Sequence, residues 1–115
     1  MSYDIRIRVK VEGCGKYVTV GYPEYDSPTY NLRDMFVACM DCDYSQGEQY
    51  PCDFVIEKVE RGIHELRTRR EHYKQYNPKN GWGDIDSAIE VLESVRECIY
   101  EWAEDIPIEC LYFQW

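Results

Sequence analysis

Apolar and polar residues alternate at the start of the chain: Tyr3, Ile5, Ile7, Val9 and Val11 are interleaved with Asp4, Arg6, Arg8, Lys10 and Glu12. A period of two predicts a half-buried strand. Gly13-Cys14-Gly15 follows as a turn, and Tyr17–Tyr22 reads as the returning strand of a hairpin. Pro23 to Tyr30 is an irregular connection. Asn31, with Asp34 three residues later, predicts the cap of a short helix reaching about Met40. Asp41–Pro51 reads as a polar loop. A longer helix is predicted over 53–76, because Ile56, Val59, Ile63, Leu66 and Tyr73 recur at helical spacing. Asn77-Pro78-Lys79-Asn80-Gly81-Trp82-Gly83 stops it. Asp84 can cap a third helix running to about Glu104, whose core face is Ile85, Ile89, Leu92, Val95, Ile99 and Trp102. Its short connection to the preceding helix predicts antiparallel neighbours. Ile108–Phe113, β-branched and aromatic, predicts a third strand. The expected architecture is one α+β domain over residues 1–115, ordered ββαααβ. Its small, mainly antiparallel sheet (N-terminal hairpin plus C-terminal strand) carries three helices packed on one face.

The polar side of the third predicted helix is unusual. Asp86, Glu90, Glu93, Glu97, Glu101 and Glu104 are spaced 4, 3, 4, 4 and 3 residues apart. At ~100° per residue these six carboxylates share an arc of roughly 80°. Neighbours on such a stripe lie ~5–6 Å apart, and like charges at that spacing oppose helix formation by a few tenths of a kcal/mol per pair. Only Arg96 interrupts the acids. A rigid row of carboxylates at that spacing can stand in for phosphates before a groove lined with Lys and Arg. The plainer alternative is a solvated face that keeps the protein soluble. Trp82, in its glycine-flanked turn, is the aromatic best placed to add a desolvated anchor, or else to fold back over the helix pair.

Charge counted by segment sharpens this pattern. The 115 residues carry a formal net charge of −9. Residues 1–23 balance at +2, 24–57 at −7, 58–83 at +4 and 84–115 at −8. Such a field disfavours direct binding to nucleic acid or an anionic membrane and favours a basic protein. Arg67, Arg69, Arg70 and Lys74 form a basic patch whose natural partners are the chain's own acids or those of a second copy, so a homodimer joining the two zones is compatible with the pattern. Aromatic residues make up 15% of the chain, too many for a disordered acidic polymer and enough to leave some for partner contacts. The opening residues lack the basic and apolar segments of a signal peptide, and no apolar run approaches membrane-spanning length, so a cytoplasmic location is expected.

Two stretches carry a resemblance: Met1-Ser2-Tyr3-Asp4-Ile5, and Asn77-Pro78-Lys79-Asn80-Gly81-Trp82-Gly83-Asp84 before the acidic helix. Together they resemble small, mostly uncharacterised acidic proteins of bacteriophages and other mobile elements. The resemblance covers the start and roughly the last third of the chain and supplies no catalytic residues. It implies a setting in which such proteins block host defence, by anti-CRISPR or anti-restriction action. The resulting expectation is a small acidic inhibitor that binds a basic nucleic-acid-handling protein, such as a CRISPR effector, in the host cytoplasm. Its partner-binding residues are Asp86, Glu90, Glu93, Glu97, Glu101, Glu104 and Trp82.

Other chemistries find weaker support. Cys39-x2-Cys42 followed by Cys52 is one half of a zinc pattern without a second close pair, and Cys39 falls in an apolar run. A zinc- or thiol-bearing adaptor of a mobile element, without inhibitory role, is the alternative reading. His64 and His72 lie eight residues apart with no nucleophile or carboxylate pattern to form a triad, so no enzyme is expected. Asp41, Asp43, Glu48 and Asp53 lack the glycine and the final glutamate of a calcium loop. No cofactor or metal site is expected.

Overall fold

The alternation at the N-terminus becomes the two faces of a sheet. The computed structural model describes residues 4–13, 15–25, 28, 30–81 and 83–115. β1 (Arg6–Lys10) pairs antiparallel with β2 (Tyr17–Gly21) on one side and with β4 (Leu111–Gln114) on the other. A short edge strand, β3 (Gln49–Pro51), completes the order β2-β1-β4-β3, antiparallel throughout. Ile7, Leu111 and Phe113 are fully buried, while their strand neighbours Arg6, Arg8, Tyr112 and Gln114 are half-buried on the opposite face.

The helices cover the buried face. A single 3₁₀ turn (Tyr30–Leu32) leads into α1 (Arg33–Met40). α2 (Cys52–Thr68) follows β3 directly, and the short α3 (Arg70–Tyr73) follows α2. α4 spans Ile85–Ala103. Contacts between Glu60 and Tyr100, Arg67 and Glu93, and Arg70 and Asp86 run in opposite directions along the two chains, so α2 and α4 are antiparallel neighbours, as expected. Every apolar position read from the helical spacing of α2 to α4 is buried except Trp102, which is half-buried.

Gly62 lies inside α2, where glycine is costly, and the packing shows why it stands there. A Cβ at this position would come within 2.9 Å of Leu92, 3.0 Å of Met40 and 3.2 Å of Cys39, so the missing side chain lets α1, α2 and α4 close on one another.

The structure corrects the expected architecture in four places. The expected loop over 41–51 contains β3, which pairs Tyr50 with Phe113 and Gln49 with Gln114. A three-residue strand ending in proline has no periodic signature, and proline is tolerated only because this strand forms an edge. The expected helix over 53–76 is divided: Arg69 leaves helical geometry (φ −122°, ψ 41°), and a 3₁₀ turn closes Lys74–Tyr76. Thr68 Oγ1 donates to the His64 carbonyl at 2.8 Å, a competing bond that bends helices, and a run of cations crowds the same turn. Among the described residues there are thus four α-helices rather than three, in the order ββαβαααβ. α1 also begins two residues later than its expected cap: Asn31 sits in the 3₁₀ turn, and Leu32 precedes the helix without a side-chain cap. The expected third strand starts at Leu111, because Ile108–Cys110 forms a 3₁₀ turn.

Candidate partner-binding site

α4 is started by its own sequence. Asp84 accepts from Ser87 N at 2.8 Å and from Ser87 Oγ at 3.0 Å, and these bonds hold its carboxyl below the usual carboxylate range. From that fixed start the helix presents Asp86, Glu90, Glu97 and Glu101 to solvent, with Glu93 half-buried and Glu104 exposed at the C-cap. The six carboxylates therefore lie off the core face, as their spacing predicts.

They do not share one environment. Asp86 receives Arg70 at 3.0 Å, and Glu93 receives the Arg67 guanidinium. Both arginines come from the end of the neighbouring helix pair. The other cations of that patch are also engaged within the chain: Arg69 with Glu65 at 3.4 Å and Lys74 with Glu71 at 2.7 Å. Glu65 is a local hub, for it also takes Arg61 at 3.6 Å and the Tyr73 hydroxyl at 3.3 Å. Glu90, Glu97, Glu101 and Glu104 have no basic partner among the described residues. Arg96, half-buried, joins no ion pair there either; its charge acts instead on the Tyr100 hydroxyl, which donates to Glu60.

Beside the unpaired end of the ladder lies a groove of about 380 Å³, lined by Gly21, Tyr22, Glu24, Ser94, Glu97, Cys98, Glu101 and Trp102. The chain leaving β2 forms its far wall. Tyr25 N donates to Ser94 Oγ at 3.3 Å, and Ser94 Oγ donates onward to the Val91 carbonyl at 2.8 Å, which ties that wall to α4. Gly21 makes room for the indole: a Cβ there would collide with the ring of Trp102. The groove combines three carboxylates (Glu24, Glu97, Glu101) with two aromatic rings, of which Tyr22 is 58% exposed. Carboxylates pair with a cationic side chain while an aromatic face takes up its charge and its apolar stem, so the arrangement suits an inserted Arg or Lys.

Tyr22, Glu24 and Trp102 were not singled out by their positions in sequence. Trp102 falls on the apolar spacing of α4 and reads as core, Tyr22 reads as the last residue of the expected second strand, and Glu24 lies in the irregular connection after it. Only the packing of β2 against α4 brings them to Glu97 and Glu101. Trp82, expected as an anchor, lies outside the described residues.

Three of the cysteines, Cys39, Cys52 and Cys98, are used in the interior. Burial pushes the thiols of Cys39 and Cys52 up to about 12 and that of Cys98 up to about 11, the last with a further contribution from Glu101. Cys39 Sγ donates to the Phe36 carbonyl at 3.6 Å. Thiols so shifted are protonated at neutral pH and poor ligands or nucleophiles. Among the described residues no group of three His, Cys, Asp or Glu side chains is placed to hold a metal ion. The 41–48 loop has a different organisation from a calcium loop. Burial raises the Asp43 carboxyl, but hydrogen bonds from Ser45, Gln46 and Arg33 outweigh it and hold the group well below the usual range.

Compared with protein-family models, curated proteins and solved structures, the chain matches none. Among the described residues, no helix is long and apolar enough to cross a membrane.

Proposed function

We propose that this protein is a small acidic inhibitor that binds a basic, nucleic-acid-handling protein by presenting carboxylates where that protein expects phosphates. The observation that carries the reading is the groove in which unpaired Glu97 and Glu101 face Tyr22 and Trp102. Asp86 and Glu93 are already neutralised by Arg70 and Arg67, so the contact centres on Glu97, Glu101 and Glu104, with Glu90 and Glu24 at its margins. α4 holds its acids in place before binding, which lowers the ordering cost that a flexible acidic tail would carry. The aromatic rings supply desolvated anchoring that surface charge alone does not.

The resemblance of the opening residues and of the 77–84 turn to phage-borne proteins adds a setting. The partner is then a host-defence nuclease such as a CRISPR effector, met in the host cytoplasm. No direct contact with nucleic acid or membrane is needed, and no catalysis is involved. Nothing in the geometry favours the zinc or thiol adaptor over this reading.

The test couples capture to competition. Immobilised wild-type protein and a Glu97→Lys/Glu101→Lys variant are exposed to bacterial lysate, and proteins retained only by the wild type are identified. Each is then loaded with fluorescent nucleic acid. Displacement of the nucleic acid by wild type but not by the variant, weakening steeply with salt, is the expected result. A retained protein that binds no nucleic acid, or that keeps its nucleic acid in the presence of excess wild type, would sink the proposal.

A further inference from the structure

The outer face of the sheet is chemically one-sided. β1 places Arg6, Arg8 and Lys10 there at alternate positions, and register adds Tyr17 and Thr19 from β2 with Tyr112 and Gln114 from β4. None of the strand residues is acidic. Arg8 donates to Gln114 Oε1 at 3.1 Å and to the Tyr17 carbonyl at 2.8 Å, both uncharged acceptors, so its charge is positioned but not compensated. Arg6 and Lys10 join no ion pair among the described residues. The Nε donors of Arg6 and Arg8 are buried and bond to no acceptor. Tyr17 and Tyr112 meet edge to face with centroids 5.0 Å apart, which fixes two rings on the same surface. Strands that carry donors and no acids on this face call for a partner that accepts.

We infer that this face docks the acidic side of α4 from a second copy of the chain. The inference rests on the same free carboxylates as the proposed function. Charge complementarity selects the occupant: the molecule itself carries the matching surface. Arg6, Arg8 and Lys10 stand ~6.6 Å apart along the strand. Glu97, Glu101 and Glu104 stand ~5–6 Å apart along the helix, three acids opposite three bases. The two surfaces cannot meet within one molecule, because α4 lies on the buried side of the sheet. Unlike surfaces joined in this way give a head-to-tail contact rather than a two-fold one. The patch is small. Four strands at ~4.8 Å by five residues at ~3.3 Å present about 300 Å². That is well below the ~800 Å² per partner of a stable interface, so the association is weak and transient. It also occupies the ladder, so self-association and binding of the basic partner exclude one another.

Complementary variants test the contact. Arg6→Glu/Lys10→Glu spoils the sheet face and keeps the ladder, whereas Glu97→Lys/Glu101→Lys spoils the ladder and keeps the sheet face. Lys10→Glu alone, at an exposed position, serves if the first pair fails to fold. In sedimentation at low salt, the apparent mass of the wild type rises above the 13.8 kDa monomer as its concentration approaches about 1 mM. Each variant alone stays monomeric, and an equimolar mixture of the two regains association. A wild type that remains monomeric throughout, or a mixture that does not associate, overturns the inference. So does salt-sensitive binding of a labelled single-stranded oligonucleotide to a monomer, lost in Lys10→Glu, because the face would then serve nucleic acid. The sheet-face variant keeps its ladder and should still capture the basic partner. Failure of capture therefore counts against the proposed function and not against this contact.

Discussion

The two ends of α4 carry the same kind of residue at the same spacing and have different surroundings. At the N-terminal end, Asp86 and Glu93 face the arginines that end α2 and open α3, and the charges are closed off within the chain. At the C-terminal end, Glu97 and Glu101 face a groove with Tyr22 and Trp102, and no cation among the described residues pairs with them. The antiparallel packing of α2 against α4 produces the difference: it brings the cation-rich end of α2 beside the start of α4 and leaves the far end unmatched. A row of like charges is therefore not one functional unit. Part of it holds two helices together, and part is left for something else.

The largest expected effect lies at the open end. Glu97→Lys/Glu101→Lys should weaken capture of the basic partner by about 100-fold or more, in the range of interfacial charge pairs, with little change in melting temperature. Equal capture by wild type and variant, measured on the same retained protein, would erase the distinction between the two ends.

Gly21→Val probes the same end without touching charge. The new side chain must push the Trp102 indole out of its position, and partner affinity should fall about tenfold, ~1.4 kcal/mol. Unaltered affinity would mean that the carboxylates act without the aromatic wall.

Asp84→Ala probes the closed end through the cap. Loss of its bonds to Ser87 should cost about 1 kcal/mol of stability with partner binding intact. The folded-state pKa of Asp84 lies below the ordinary 3.8, so its contribution is present above that pH and is lost as pH falls through the lowered value. Wild type and Asp84→Ala should converge in denaturant midpoint toward strongly acidic pH; a constant gap down to the acid limit would count against the cap.

The smallest effect belongs to the surface pair. Glu93→Gln removes the carboxylate that receives Arg67 and should cost about 0.5 kcal/mol at low salt, fading as salt is raised. Partner capture should not change. A large loss of capture on Glu93→Gln would place this residue among the docking acids and dissolve the comparison.

Much of this fold was legible because each element follows a local rule. The apolar residues at helical spacing, from Ile56 to Leu66 and from Ile85 to Ile99, are buried, and Asp84 caps α4. The hairpin and the third strand are present and antiparallel. What escaped notice lacks a local signature. β3 exists because Gln49–Pro51 finds the edge of β4. The break at Arg69 follows from a side-chain bond of Thr68 and local crowding of charge. Gly62 reads as a flaw in a helix until α1 and α4 are placed against it. The candidate site was legible in its acids and not in its partners, since Tyr22, Glu24 and Trp102 come from a separate stretch or from the apolar spacing.

By itself, then, the sequence determined which residues of α4 are acidic, that they share one side of a helix, and that this side is not the core side. Those are consequences of a 3.6-residue period and need no knowledge of neighbours. Tertiary structure alone decided which carboxylates are neutralised and which remain available. An ion pair depends on what another segment brings within about 4 Å, and that distance is set by how α2, β2 and α4 pack rather than by spacing along any one of them.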